Sequence, residues 1–124
     1  MIIRTLIVDD EPDLRLLLRL AIEHRNEGLM VSGEAAEGQE ALDLIDEVDP
    51  TVVVLDQMMP GMDGLETAAR ILERRPGQLI VLYSAFLDAK LTEQASRAGI
   101  TACMLKGRAK DLADFVHQLA AGAA

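Results

Sequence analysis

The sequence has no tryptophan, a single tyrosine and a single cysteine in 124 residues. With Tyr83, Phe86 and Phe115 as the only aromatics, a core has to be assembled from Leu, Ile, Val, Ala and Met. The lone Cys103 cannot close an internal disulfide, so the cysteine pattern carries no sign of an oxidising compartment. The two histidines, His24 and His117, fall inside segments of helical pattern and read as surface residues. There is no Cys/His cluster of the kind that holds zinc. No apolar run approaches the roughly 20 residues needed to cross a bilayer. The opening stretch from Met1 to Val8 lacks a basic leader and runs straight into Asp9-Asp10-Glu11, unlike a signal peptide. A soluble cytoplasmic protein without membrane contact is expected.

Positive charge is also scarce. Lys and Arg number 12 against 21 Asp and Glu, for a formal net charge of -9. A surface so acidic argues against direct binding to nucleic acid, where basic side chains must displace counterions from phosphates. It suits a divalent cation or a basic partner, and it also serves plain solubility. The length fits one domain, since domains commonly run to roughly 100–150 residues. We assign residues 1–120 to it and read 121–124 as a tail or the start of a linker.

What the chain does have is a strict alternation of two kinds of segment. Runs apolar at consecutive positions, 2–8, 29–34, 51–55, 79–83 and 101–105, suit strands of a parallel sheet covered on both faces. Between them lie helical spacings: Leu14, Leu17, Leu18 and Ala21; Gly38, Ala41, Leu42 and Ile45; Leu65, Ala68, Ala69 and Leu72; and Leu112, Phe115, Val116 and Leu119. The segment 88–98 offers only the narrow stripe Leu91, Ala95 and Ala98, so its helix should pack least firmly. Pro50, Pro60-Gly61, Gly64, Pro76-Gly77 and Gly99 punctuate the joints. Five strand–helix units with right-handed crossovers predict a doubly wound α/β three-layer sandwich, a flavodoxin-like (βα)5 fold. The parallel five-stranded sheet should have the order 2-1-3-4-5, with ligands at the carboxyl ends of the strands.

Those carboxyl ends carry the chemistry. Asp9 and Asp10 follow the first run, Asp56 the third, Ser84 the fourth and Lys106 the fifth. The predicted order makes the first and third strands neighbours, which brings three carboxylates to one edge. Such a cluster needs a counter-charge. Its oxygen-only donors fit Mg²⁺, which takes one or two carboxylates beside water and phosphate oxygens. A carboxylate flanked by that ion, a lysine and a hydroxyl can attack a phosphoryl donor. Each member alone has an ordinary reading. Asp9-Asp10-Glu11 could cap a helix, Asp56 could open a turn, and Ser84 or Lys106 could be surface residues. Their joint placement is the specific signal.

With LIVDDEPDLR (6–15), VVVLDQMMPGMDGLE (52–66), VLYSA (81–85) and MLKG (104–107), the sequence resembles the receiver domain of two-component response regulators over nearly its whole length. The resemblance implies a phosphorylation-dependent signalling switch. Asp56 would be the phosphoacceptor, Ser84 the hydroxyl that follows the phosphoryl group, and Lys106 the cation that pairs with it. Asp10, Asp56 and the backbone carbonyl of Met58 would ligate Mg²⁺, with Asp9 acting through water. A sensor histidine kinase or phosphotransfer protein would supply the phosphoryl group. The helix 4–strand 5–helix 5 surface would change on phosphorylation and meet a downstream protein, an attached output domain or a second copy in a homodimer.

Two positions depart from the family pattern. Cys103 stands where many receivers carry an inward-turning aromatic, and a buried structural thiol is the ordinary explanation. Tyr83 does not simply replace it, because neighbours on a strand point to opposite faces. Gly107 stands where many relatives have Pro, which leaves the loop after the fifth strand looser. Met58 and Phe86, two residues beyond Asp56 and Ser84, would flank the attacking water and slow loss of the phosphoryl group. The competing enzyme class is an aspartyl-phosphate phosphatase or phosphotransferase. Those resembling the haloacid dehalogenase family use D-x-D, whereas Met58 stands two residues after Asp56. A flavin binder of the same fold would need a phosphate-cradling loop where this chain is acidic.

Overall fold

The computed structural model describes residues 2–25 and 27–123. The elements alternate as β1 (Ile3–Val8), α1 (Pro12–Arg25), β2 (Leu29–Ala35), α2 (Gly38–Val48), β3 (Val52–Asp56), α3 (Gly64–Arg74), β4 (Leu79–Ser84), α4 (Ala89–Ala98), β5 (Ala102–Leu105) and α5 (Ala109–Ala123). The strands form one five-stranded sheet in the order β2-β1-β3-β4-β5 with parallel pairing. This is the flavodoxin-like three-layer arrangement that the apolar runs predict.

Alternation along the strands splits the core in two. Ile3, Ile7, Val52, Val54, Val81 and Tyr83 pack with α1 and α5 residues such as Leu18, Ile22, Leu112 and Val116. Leu6, Val8, Val53, Leu55, Ile80 and Leu82 pack with Ala41, Ile45, Ala68, Ile71 and Ala95 on the other face. Every residue of β3 is buried, as expected of a central strand covered on both sides.

Two helices turn differently from the predicted stripes. On α1 the buried residues are Leu18 and Ile22, while Leu17 stands 55% exposed beside the exposed Leu16 and Leu20. The helix has leucine on nearly every side, so periodicity alone cannot select the inner one. On α3 the inner face is Gly64, Thr67, Ala68 and Ile71, and Ala69 points outward. Thr67 is hidden because its hydroxyl donates to the Asp63 carbonyl at 2.8 Å, which satisfies the polar group locally. The α4 stripe is as narrow as expected, with Ala95 its buried residue. Helix α5 continues through Ala121 and Gly122 to Ala123, because the alanines around Gly122 favour helix enough to carry it. Ala124 lies outside the described residues.

Candidate acidic site at the carboxyl end of the sheet

The loop after β3 is fixed by its own polar side chains. Asp63 caps α3 by accepting from Glu66 N at 2.9 Å. Gln57, which the sequence reading passed over, is buried and accepts from Leu65 N at 3.0 Å. Its amide donates to Asp63 Oδ2 at 3.3 Å. Gly64 closes the loop, with its N–H donating to the Gln57 carbonyl at 3.0 Å. A Cβ on Gly64 would fall 2.6 Å from the Asp56 carbonyl oxygen and 2.8 Å from Gln57 Cα. Glycine is required there by close approach of the backbone.

This scaffold sets Asp56 beside the Asp pair. One carboxylate oxygen each from Asp9, Asp10 and Asp56 lie within 4.8 Å of one another. Asp9 and Asp56 are buried and Asp10 is exposed. Lys106 Nζ contacts Asp56 Oδ1 at 3.1 Å, Asp9 Oδ2 at 3.4 Å and Glu11 Oε1 at 3.7 Å. Met58 N also donates to Asp56 Oδ1, at 3.2 Å. Among the described residues, no donor meets the buried Asp56 Oδ2. A buried carboxylate oxygen without a partner is costly, and a hard cation held by the three aspartates would satisfy it. The donor set fits Mg²⁺ on that ground.

Electrostatics follow from burial. Loss of water pushes the Asp56 pKa above the usual carboxylate range; the Lys106 hydrogen bond pulls it back and the nearby Asp9 adds to the rise. Burial opposes the charge on Lys106, yet its bond to Asp56 and the field of Asp56 and Asp9 hold its pKa above the ordinary lysine value. Ser84 is buried, and its Oγ accepts from Phe86 N at 3.3 Å within its own loop. Met58 and Phe86 are 70% and 72% exposed at the rim. Cys103 is half-buried against the α3–α4 side of the core instead of fully buried, and desolvation raises its thiol pKa. A Cβ on Gly107 would meet only the Leu105 carbonyl oxygen, at 4.0 Å. His24 is exposed, and the half-buried His117 has Nε2 at 3.3 Å from a Glu27 carboxylate oxygen; neither belongs to the three-aspartate cluster.

Tyr83 is the residue that sequence reasoning left out of the site. It lies on the α1–α5 face and Cys103 on the other, as strand alternation requires. Its hydroxyl nevertheless donates to Asp9 Oδ2. Lys106 Nζ stands 5.0 Å from the centre of its ring, within cation–π range. Desolvation, and then the Asp9 hydrogen bond, push its pKa far above the ordinary tyrosine value, so it remains a donor. The signal was available. Asp56 and Tyr83 are direct partners in the β3–β4 register, and the alternation, continued past the strand ends, puts Asp9 and Lys106 on that same face.

A parallel α/β sheet with three aspartates, a lysine and a serine at its carboxyl edge defines the class as a receiver-type fold. The family model described as the response regulator receiver domain matches residues 5–117, and the chain belongs to that family. Its place is therefore in two-component signal transduction, as a regulatory module. It is 40% identical over 112 residues to protein-glutamate methylesterase/protein-glutamine glutaminase 3 of Hahella chejuensis, covering 89% of this chain and 32% of that protein. It is 34% identical over 118 residues to the nitrate/nitrite response regulator protein NarL of Escherichia coli, covering 94% of this chain and 54% of that one. The chain thus spans about a third and about half of these two curated relatives. A crystal structure of a LuxR-family two-component response regulator from Aurantimonas superposes with a TM-score of 0.90 at 28% identity, over 98% of this chain and 87% of that one. Among the described residues, no helix is long and apolar enough to cross a membrane.

Proposed function

We propose that the chain is a phosphorylation-controlled switch in which Asp56 accepts a phosphoryl group from the phosphohistidine of a sensor histidine kinase or phosphotransfer protein. The observation that carries this reading is the buried, unpartnered Asp56 Oδ2 inside an aspartate–lysine cluster. That oxygen attacks phosphorus; the phosphorus–nitrogen bond of the donor breaks, and the imidazole leaves with the electron pair. Asp10, Asp56 and the Met58 carbonyl would hold Mg²⁺, with Asp9 acting through water. The ion neutralises charge on the transferring group when bound. Lys106 turns from the Asp56 carboxylate to the new phosphoryl oxygens, and the Ser84 hydroxyl leaves its loop to join them. Positioning and charge are most of what phosphoryl transfer asks for.

The state of Asp56 shifts a two-state equilibrium read at α4, β5 and α5 by a downstream protein, an attached output domain or a second copy. Incubation with Mg²⁺ and acetyl phosphate, followed by intact mass, tests the reading. One phosphoryl group is expected on the wild type and none on Asp56→Asn. Equal labelling of both proteins would sink it.

A further inference from the structure

The geometry points to Tyr83 as a positioning residue of the acidic site, fixing Asp9 through its hydroxyl and Lys106 through its ring, so that cation binding is coupled to release of that hydroxyl. This rests on the Mg²⁺ and phosphoryl reading above and adds a component to it. Asp9 is fully buried and has both oxygens engaged. Oδ1 accepts from Glu11 N at 2.8 Å, and Oδ2 is shared by the Tyr83 hydroxyl and Lys106. Tyr83 is therefore the neutral side-chain donor that, with the Glu11 N–H on the other oxygen, sets the rotation of the Asp9 carboxylate. Lys106 touches three carboxylates, and its ammonium also lies over the Tyr83 ring. A lysine held among several anions has no unique position from charge alone. A ring on one side gives it one.

The coupling follows from competition. A cation whose water draws on Asp9 weakens the acceptor that the tyrosine uses. The ring has somewhere to go. Tyr83 lines a cavity of about 120 Å³ together with Leu14, Leu18, Met104 and Leu112, on the α1–α5 side of the sheet. Ser84 and Cys103 face the opposite side, so this linkage does not pass through the position where Cys103 replaces an aromatic.

The chain supplies its own probe, since Tyr83 is its only tyrosine and there is no tryptophan. A phenol hydrogen-bonded to a carboxylate is quenched, and loosening that bond raises its emission. The test is an Mg²⁺ titration followed in parallel by calorimetry and tyrosine emission, on the wild type and on Tyr83→Phe. Emission should rise with the calorimetric midpoint. Tyr83→Phe, with no hydroxyl to displace from Asp9, should bind Mg²⁺ on the order of fivefold more tightly, the low end of a reciprocal coupling between two sites, with an unchanged far-UV spectrum. Flat emission through a calorimetrically proven titration overturns the inference while the switch reading stands. So does an affinity for Tyr83→Phe weaker than wild type or within about twofold of it, below that coupling range. No calorimetric binding to the wild type overturns both. If Tyr83→Phe fails to fold, the wild-type emission decides alone.

Discussion

At the scale of single residues, the site works by unequal treatment of similar groups. Asp9 and Asp56 are both buried, yet Asp9 has every oxygen engaged and Asp56 keeps one bare. The bare oxygen is the one suited to a cation or an incoming phosphorus. At the rim, Met58 and Phe86 offer water nothing to bond to, and they are the residues we assign to slowing hydrolysis. Met58→Asn combined with Phe86→Glu should speed loss of the phosphoryl group on the order of tenfold, about 1.4 kcal/mol of barrier. Unchanged decay in a radiolabel chase would refute that assignment. Far from the site, Asp49 adopts a left-handed backbone with φ of 47° at the end of α2 and pairs with Arg75 and Arg4. The Arg75 hydrogen bond, with the fields of Arg75 and Arg4, holds its pKa below the ordinary 3.8. A depressed carboxylate stabilises the fold above its unfolded pKa and loses that contribution as pH falls through the lower folded value. An NMR titration should place Asp49 below 3.8 at low salt and closer to it at high salt; a value at or above 3.8 would contradict the pairing.

At the scale of elements, the approach of α3 to β3 is the tightest constraint on the site. Gly64→Ala should cost about 1–3 kcal/mol by urea denaturation, because a methyl there meets backbone atoms that cannot move aside. Gly77→Ala, with open space around its Cβ, should change stability by less than about 1 kcal/mol, with a gain if anything. Equal losses at both positions would show that the close approach is not what matters. The loosely seated α4 is the element we expect to respond. Hydrogen exchange over residues 86–107 should differ with and without beryllofluoride and Mg²⁺, and identical protection would count against α4 as the moving part. The five strands were legible in the sequence because each contains apolar residues at consecutive positions, most fully in the buried β3 and least in β2, which carries Ser32 and Glu34. The inner faces of α1 and α3 were not. Leu14, Leu16, Leu17, Leu18 and Leu20 put leucine on several sides of α1, so its Arg15–Arg19–Glu23 stripe leaves more than one inner face open, and Thr67 satisfies its hydroxyl locally on α3.

At the scale of the molecule, the sheet divides the site residues between its two faces. Asp9, Asp56, Tyr83 and Lys106 work over the α1–α5 side, while Cys103 packs on the α3–α4 side. The convergence of Asp9, Asp10, Asp56 and Lys106 was legible from strand order alone. Tyr83 was not, because attention to which residue ends each strand passes over the penultimate one, and only register and alternation together bring it in. The central claim is that one of the three clustered aspartates, Asp56, becomes an acyl phosphate. Borohydride reduces an acyl phosphate to the alcohol, so peptide mass mapping after Mg²⁺, acetyl phosphate and borohydride names the modified carboxylate directly. Homoserine at position 56 is the result this account requires; reduction at Asp9 or Asp10, or none at all, would contradict it.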